Sequence, residues 1–178
     1  MKMKYFAVLM VVILFFSFSA WAADYSKAEV FGGYQYTRID GGGLVPNLNA
    51  NGWNAAVSGY FSKYMGVTGD FSGAYTTVSG VKVKVHTYTF GPVFTARNDE
   101  AITPFAHVLV GGFHGSAGVA GISGSTSGLA IMAGGGVDAK IAPRLAFRVA
   151  QFDWVLLRAE GETTKKNFRL STGIIFRF

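Results

Sequence analysis

The 178-residue chain contains no cysteine, so it has neither a disulfide scaffold nor a thiolate metal site. Charge is also scarce, because Asp, Glu, Lys and Arg together make up 15% of the residues, against about 25% in a typical soluble domain. So few charges cannot comfortably cover a water-facing surface. No basic run is longer than the pair Lys165-Lys166, and no basic face alternates with aromatic side chains. Binding to nucleic acid is therefore not indicated.

The N-terminal block has the pattern of a secretory signal peptide. Lys2 and Lys4 precede the apolar run YFAVLMVVILFFSF, and an Ala-Trp-Ala triplet follows that ends at Ala22. The apolar run is shorter than the roughly 20 residues that a spanning helix needs. We expect a signal peptide over residues 1–22 and a single mature domain over 23–178. The leader holds two of the 16 basic residues and none of the 10 acidic ones, so the mature charge is +4.

After the leader, no segment stays apolar for 18 residues and none repeats apolar residues at helical spacing. Apolar residues instead alternate with small or polar ones, the period of a β-strand. Eight segments follow this rule: AEVFGGYQYTR, GWNAAVSGYFS, GVTGDFSGAYTT, VKVHTYTFGPVFTA, TPFAHVLVGGFHG, SGLAIMAGGGVDAK, RLAFRVAQFDWVLL and NFRLSTGIIFRF. The pattern predicts an all-β protein with eight antiparallel strands.

The separators between these segments alternate in length. Long ones are IDGGGLVPNLNAN, SAGVAGISGST and RAEGETTKK, short ones are KYM and IAP, and RNDEAI is intermediate. Long loops at one end and short turns at the other are typical of outer-membrane barrels. The short connection VSGVK is an exception, since a long loop is expected there.

The two faces of the alternating strands differ in kind. One face carries large apolar side chains without charge, and the other is mostly Gly, Ala, Ser and Thr with a few charges. A soluble barrel would bury the apolar face and coat its outside with charges that this chain lacks. We therefore expect an eight-stranded up-and-down transmembrane β-barrel with the apolar face against lipid. Small residues would fill its narrow interior, which bulky ones would overfill.

Two local patterns fit this architecture. Aromatic residues near the predicted strand ends suit the headgroup region of a bilayer: Trp53, Tyr36, Tyr75, Tyr88 and Trp154. The glycine-rich stretches GGFHGSAG and AGGGVD do not lie between a strand and a helix, so they do not indicate a dinucleotide site.

Several stretches resemble the small outer-membrane β-barrel family and are similar to its OmpA-like transmembrane domain. They are the leader, the opening AEVFGGYQY, the segments PFAHVLVGG and FRVAQFDWVLL, and the end of the chain, where Phe178 follows alternating Leu170, Thr172, Ile174 and Phe176. The resemblance covers the whole mature chain and implies the outer membrane of a Gram-negative bacterium. It also implies that Ile174, Phe176 and Phe178 form the signal read by the barrel-assembly machinery. No peptidoglycan-binding domain follows, so no cell-wall tether is expected.

With the N terminus in the periplasm, some polar residues should point inward in the periplasmic half of the barrel. They are Glu29, Asp70, His107, Asp138, Arg148 and Arg177. Charges in a narrow lumen are costly unless they are paired. We therefore predict a balanced, hydrogen-bonded network that plugs the barrel. The alternative is a gated small pore, which would make the protein a narrow, low-conductance channel.

Two constellations raise the question of an enzyme. His114 and Ser116 in FHGSAG resemble the His-x-Ser arrangement of an outer-membrane lipid A deacylase, in which histidine activates serine for acyl transfer. Ala117 stands where that arrangement has an asparagine, and no orienting carboxylate can be assigned. His86 and His107 lie on different strands without a third ligand, which favours hydrogen-bonded imidazoles over a metal site. We expect no enzyme and no cofactor, and keep an acyl hydrolase as the third possibility.

The second constellation that could suggest an enzyme consists of Asp153 with Arg148 and Arg158, which lie nearby in the sequence. Strict alternation puts Arg148 inside and Asp153 outside, so a bulge near Gln151 would be needed to bring both inside. We expect instead a structural ion pair at the barrel rim.

The loops should carry any specific function. Lys82, Lys84, Lys165 and Lys166 are candidates to contact phosphates of outer-membrane lipids such as lipopolysaccharide, with a solvated loop as the alternative. The glycine-rich first and third loops are candidates for adhesion or receptor contact, although the sequence names no ligand. The function indicated is a structural or surface-interaction role.

Overall fold

The computed structural model describes residues 25–40, 47–78, 80–97, 101–119, 122–159 and 162–178. The expected signal peptide, residues 1–22, lies outside the described residues. In the described part of the chain there is no helix long and apolar enough to cross a membrane.

Eight strands form one closed barrel in which each strand pairs antiparallel with its neighbours in chain order. They are β1 (Ala28–Ile39), β2 (Leu48–Tyr60), β3 (Met65–Val78), β4 (Val81–Thr95), β5 (Ile102–Val119), β6 (Ile122–Ala142), β7 (Leu145–Ala159) and β8 (Glu162–Arg177). Strand β8 closes on β1, from Glu29 opposite Arg177 to Arg38 opposite Phe168. The predicted eight-stranded antiparallel up-and-down barrel is confirmed.

The two ends of the barrel differ. Short connections at residues 61–64, 96–101 and 143–144 lie at one end, which we call the turn end, together with the start of β1 and the end of β8. The opposite end, which we call the hairpin end, carries the other connections. At the turn end, Phe178 continues the closing ladder, because its backbone N–H donates to the Ala28 carbonyl at 2.9 Å.

The large apolar side chains cover the outside of the barrel. Phe90 is 67% exposed and Val67 is 58% exposed, whereas Leu109 and Ile175 inside are fully buried. An exterior of this kind suits hydrocarbon rather than water, since hydrocarbon solvates apolar groups and a closed barrel leaves no sheet edge unpaired. The assignment of the apolar face to the exterior is therefore correct.

Two of the expected long loops are strands instead. Strands β5 and β6 run through most of the segment 116–126, and β7 and β8 run through most of 158–166. Continued pairing satisfies the backbone N–H and C=O groups of these two segments, the first rich in glycine and the second in charged and polar residues, although they have few apolar side chains to bury. Of the first long connection, residues 41–46 lie outside the described residues.

The interior holds larger side chains than expected. Phe105 and Phe113 are buried inside the barrel, and each lies over an inward-facing glycine. A Cβ at Gly136 would lie 2.9 Å from the Phe105 ring, and a Cβ at Gly128 would lie 2.8 Å from the Phe113 ring. The expectation that bulky residues would overfill the interior is wrong, because each ring occupies the space that a glycine leaves.

Candidate functional site: the ion-paired interior

All six polar residues expected in the lumen point into the barrel, and each is between 2% and 9% exposed. The structure arranges them in two layers together with partners that the sequence did not reveal. The mouth layer, at the turn end, contains Glu29, Tyr60, Arg97, Asp138, Arg148 and Arg177. The central layer contains Asn54, Asp70, His107, Gln151, Asp153 and Arg169.

One carboxylate organises the turn end of the mouth layer. Glu29 Oε1 accepts hydrogen bonds from Arg97 Nη2 at 2.7 Å and from Arg177 Nε at 2.8 Å. The Tyr60 hydroxyl donates to Glu29 Oε2 at 2.9 Å. The Arg97 guanidinium also lies 4.1 Å from the centre of the Tyr60 ring. This carboxylate therefore has both oxygens satisfied although it is buried.

A second pair completes the mouth layer. Arg148 donates to both oxygens of Asp138, from Nε at 2.8 Å and from Nη2 at 3.1 Å, and from Nη1 to Gln151 Oε1 at 2.7 Å. Its guanidinium lies 4.5 Å from the Phe31 ring centre and 4.1 Å from that of Phe105. Planar stacking and a bidentate ion pair are contacts that arginine makes and lysine does not.

The central layer is built on Arg169, which is 1% exposed. From β8 it donates to both oxygens of Asp70 on β3, at 2.7 and 3.1 Å, and from Nε to Asp153 Oδ2 on β7 at 2.8 Å. Strands β8 and β3 are separated by β1 and β2. One side chain therefore crosses the lumen and joins opposite walls of the barrel.

Three further side chains complete the hydrogen bonding of the two central carboxylates. His107 Nε2 lies 2.7 Å from Asp153 Oδ1, and Gln151 Nε2 donates to Asp153 Oδ2 at 2.7 Å. Asn54 Nδ2 donates to Asp70 Oδ2 at 3.0 Å. The predicted polar network is present, and in both layers buried carboxylates face buried guanidinium groups.

A β-bulge places Asp153 inside. The register of β7 shifts against both neighbours, between Val137 and Asp138 on β6 and between Arg148 and Gln151 on β7. Val149 and Ala150, the two residues in this interval, are both exposed, so the alternation is reset by one residue.

The expectation of a rim ion pair between Asp153 and Arg148 or Arg158 is therefore wrong. Arg148 pairs with Asp138, and Asp153 pairs with Arg169. Arg158 is exposed, opposite Leu129 near the hairpin end. Strict alternation predicted the wrong side for Asp153, because no residue type in this part of β7 marks the position of the bulge.

The alternation of inward and outward positions could have predicted some of the inward-facing polar residues that were not named from the sequence. Arg169 lies an even number of positions before Arg177 on β8, so both must face the same side of the strand. Asn54 shares its parity with the inward-facing Ser58 in the same way. Arg97 gave no such signal, because it follows the end of β4 and lies in no strand.

Two small cavities flank the central layer. One, of about 10 Å³, lies towards the turn end beside Asp70 and His107. The other, of about 20 Å³, lies towards the hairpin end beside Gln35 and Arg169. Each has room for about one water molecule. These spaces are too small for a substrate or an organic cofactor.

The histidines and serines on the exterior do not assemble the expected pair. His114 Nδ1 lies 2.8 Å from the hydroxyl of Ser127 on β6, whereas Ser116 lies opposite Lys84 and Ser125. No acidic side chain is recorded as a partner of His114 in the described residues. His114 therefore contacts Ser127, and the His114–Ser116 pair on which the third possibility, an acyl hydrolase, depended is not formed.

The other two histidines have hydrogen-bond partners. His86 Nε2 lies 3.1 Å from the hydroxyl of Tyr75, and His107 binds Asp153 in the central layer. In the described ranges no three metal-ligating side chains come together.

Polar and aromatic groups form a belt on the outside near the hairpin end. Trp53 Nε1 donates to the Tyr75 hydroxyl at 3.2 Å, and Tyr36 donates from its hydroxyl to Asn49 at 2.9 Å. Tyr88 and Trp154 are also exposed, at 50% and 40%. Amphipathic rings of this kind suit the boundary between lipid and water.

The four expected surface lysines are exposed but do not form one cluster. Lys82 and Lys84 lie on β4, and Lys165 and Lys166 lie on β8. Three strands separate β4 from β8 in either direction around the barrel. They therefore form two basic surfaces on opposite sides.

The three residues of the expected assembly signal lie along the outside of the closing strand and its end. Ile174, Phe176 and Phe178 are 37%, 53% and 67% exposed. Their side chains are therefore accessible from the lipid side.

The chain resembles known proteins in its three-dimensional structure. No protein-family model matches the chain, and no curated protein matches it. Neisserial surface protein A (NspA) superposes with a TM-score of 0.73 at 10% identity, over 88% of this chain and 100% of that chain. The chain has the fold of the small eight-stranded outer-membrane β-barrels.

Two further barrels support this assignment. The attachment invasion locus protein Ail of Yersinia pestis has a TM-score of 0.62 at 21% identity, over 86% of this chain and 99% of Ail. Ail has also been solved with the heparin analogue sucrose octasulfate. The N-terminal barrel domain of Pseudomonas aeruginosa OprF has a TM-score of 0.57 at 9% identity, over 87% of this chain and all of that domain. At these identities the likeness concerns the fold.

Proposed function

We propose that this barrel is a surface-interaction protein of the outer membrane, a closed scaffold that presents its hairpin end to the cell exterior. The turn end faces the periplasm, after export directed by residues 1–22. The observation that carries the proposal is the crossing of the lumen by Arg169, which ties Asp70 to Asp153 in the middle of the barrel. Because the closed lumen offers no path for a solute, we assign the function to the outer surface and the hairpin end of the barrel.

Conduction is disfavoured by the cost of opening the central layer. A passing ion would have to displace Arg169 from two buried carboxylates, and breaking a buried ion pair by removing one partner costs about 3–5 kcal/mol. Towards the hairpin end the lumen is also filled by an apolar cluster of Leu109, Met132 and Val155. Along the barrel axis, the ion-paired central layer is therefore followed by an apolar layer, and each fills the lumen.

Hydrolysis is disfavoured by the exterior geometry. The His114 and Ser127 pair has the histidine and the hydroxyl that acyl transfer needs. That chemistry also needs a group that orients the imidazole and donors for the developing oxyanion. The described residues around this pair supply no carboxylate for the first role.

The partners we propose are phosphate groups of outer-leaflet lipids, in particular lipopolysaccharide. Lys82 and Lys84 point outward on β4, and Lys84 lies directly opposite Tyr75 of the aromatic belt. This position beside the aromatic belt supports contact with lipid phosphates, because amphipathic rings prefer the headgroup boundary and basic side chains there are attracted to anionic lipids. The binding of a polysulfated sugar by Ail supports an anionic partner for this fold.

Single-channel recording tests the closed scaffold. Purified protein in a planar bilayer should show no steady conductance, whereas large, steady openings would contradict the closed lumen. Incubation with lipid A should release no acyl chain, and release that depends on Ser127 would support the hydrolase instead.

A binding assay tests the partner. We expect K82E/K84E protein in nanodiscs to bind lipopolysaccharide more weakly than the unchanged protein, with a smaller dependence on salt. The matched control is K140E/R144E, which reverses two exposed basic residues at the turn end. Equal loss of binding in both variants would show a general charge effect and contradict a site on β4.

A further inference from the structure

Arg97 crosses the turn end of the barrel from a position outside the strands. It lies two residues beyond the end of β4, and the backbone N–H of Ala96 donates to the Pro104 carbonyl at 2.9 Å. From there the side chain reaches Glu29 on β1 and the Tyr60 ring at the end of β2. Strands β2 and β3 stand between β4 and β1. The guanidinium therefore spans the opening.

The same side chain holds the residues that precede β1. Arg97 Nη1 donates to the Ser26 carbonyl at 3.0 Å, and Tyr25 packs against the buried cluster of Tyr60, Val93 and Phe105. The backbone N–H of Lys27 donates to the Phe178 carbonyl at 2.9 Å. Residues 25–27 and Arg97 together cover the opening at the turn end.

The cavity of about 10 Å³ lies behind this cover. Its walls include Ser58, Tyr60, Thr68 and His107, and on the far side Asp70 of the central layer. Two residues of this wall are held by arginines outside it: the Arg97 guanidinium lies 4.1 Å from the Tyr60 ring centre, and Arg169 pairs with Asp70 at 2.7 Å.

Loss of Arg169 and loss of Arg97 would leave their carboxylate partners in different states. Without Arg169, Asp70 would lose its guanidinium and Asp153 would keep only neutral or titratable partners, which is costly for buried charges. Without Arg97, Glu29 would still accept from Arg177 Nε and from the Tyr60 hydroxyl. Arg97 Nε is itself buried without a hydrogen-bond partner. Release of Arg97 therefore leaves no bare carboxylate.

We propose that Arg97 is a releasable strap over a blind chamber. Its release admits water and small reagents from the periplasmic side as far as His107, while Arg169 keeps the rest of the lumen closed. The barrel would then be permanently closed at its centre by Arg169, and reversibly closed at its periplasmic end by Arg97.

Thiol labelling tests the strap, because the chain has no cysteine of its own. Ser58→Cys places a thiol on the chamber wall, and Ser72→Cys places one beyond it, where Ser72 contacts Thr87 at 2.6 Å. With a small methanethiosulfonate reagent on protein in nanodiscs, Arg97→Ala should speed labelling of Ser58→Cys by about tenfold or more, as expected when a charge-assisted hydrogen bond that holds a closure is lost. Labelling of Ser72→Cys should not change.

Arg144→Ala, in the neighbouring turn, is the matched control and should leave both labelling rates unchanged. Heat-modifiable gel mobility checks that each variant forms a closed barrel. The strap is refuted if Ser58→Cys reacts equally fast with and without Arg97. Faster labelling of both cysteines in Arg97→Ala would also refute it, since it would show a general loosening of the wall.

Discussion

The side chains of His107 on β5 and Asp153 on β7 are joined by a contact of 2.7 Å that passes over Gly134 of the intervening strand. Both residues lie opposite Gly134 in their ladders. A Cβ on Gly134 would lie 2.2 Å from Asp153 Oδ1, closer than any packed atoms lie. The missing side chain of β6 is therefore what lets its two neighbours meet inside the barrel.

Gly134→Ala should destabilise the barrel because it forces apart a buried pair that includes a charged group. We expect a loss of about 1–3 kcal/mol, measured by urea unfolding in detergent with tryptophan fluorescence. Gly32→Ala is the control, since Gly32 is exposed and a Cβ there meets nothing within 4 Å. Equal stability of the two variants would show that Gly134 is not needed for this contact.

Arg169→Met should cost more, about 3–5 kcal/mol, because it leaves Asp70 and Asp153 without their shared cation. The same variant should stay non-conducting in a planar bilayer, because the apolar cluster of Leu109, Met132 and Val155 still closes the lumen. Adding Asp70→Asn and Asp153→Asn removes the unpaired charges and should restore much of the stability. A triple variant less stable than Arg169→Met would argue against unpaired charge as the cause.

Deletion of both Val149 and Ala150 should abolish assembly. Gln151 would then follow Arg148 directly, and strict alternation would turn Gln151 and Asp153 towards lipid, where a carboxylate is costly. The amount of heat-modifiable protein in the outer membrane measures this. Deletion of Ala150 alone is the control and should assemble, because one outward residue still separates Arg148 from Gln151 and Asp153 then faces inward without a bulge. Normal assembly of the double deletion would show that the spacing between Arg148 and Gln151 does not decide which way Asp153 faces.

Deletion of Phe178 should reduce the amount of assembled barrel. The Phe178 backbone bonds Ala28 in both directions, and its carbonyl also accepts from Lys27, so its loss shortens the ladder that closes the barrel. Phe178→Leu retains these backbone bonds and an apolar end, so it separates the ladder from the aromatic ring. Unchanged membrane levels of the shortened protein would contradict a role for Phe178 in assembly.

Much of the exterior could be predicted from the sequence because lipid imposes a simple rule. Every outward position at membrane depth must be apolar or, near the boundary, amphipathic. Val67, Phe71 and Tyr75 accordingly lie at every fourth position along β3, with Gly69 and Gly73 between them. The interior follows no such rule. A buried arginine is acceptable wherever a carboxylate can reach it, so Arg169 could be placed inside by parity while its partners could not be named.

The sequence by itself determined the strand count, the period of two and the side of each strand that meets lipid, since these depend only on local alternation and on the solvent. Tertiary structure decided which charges pair, because Asp70 and Arg169 are 99 residues apart and meet only when β8 closes on β1. It also decided the inward turn of Asp153, which depends on a one-residue bulge, and the reach of Arg97 across the turn end. Those contacts depend on the radius of the closed barrel, a property of all eight strands together.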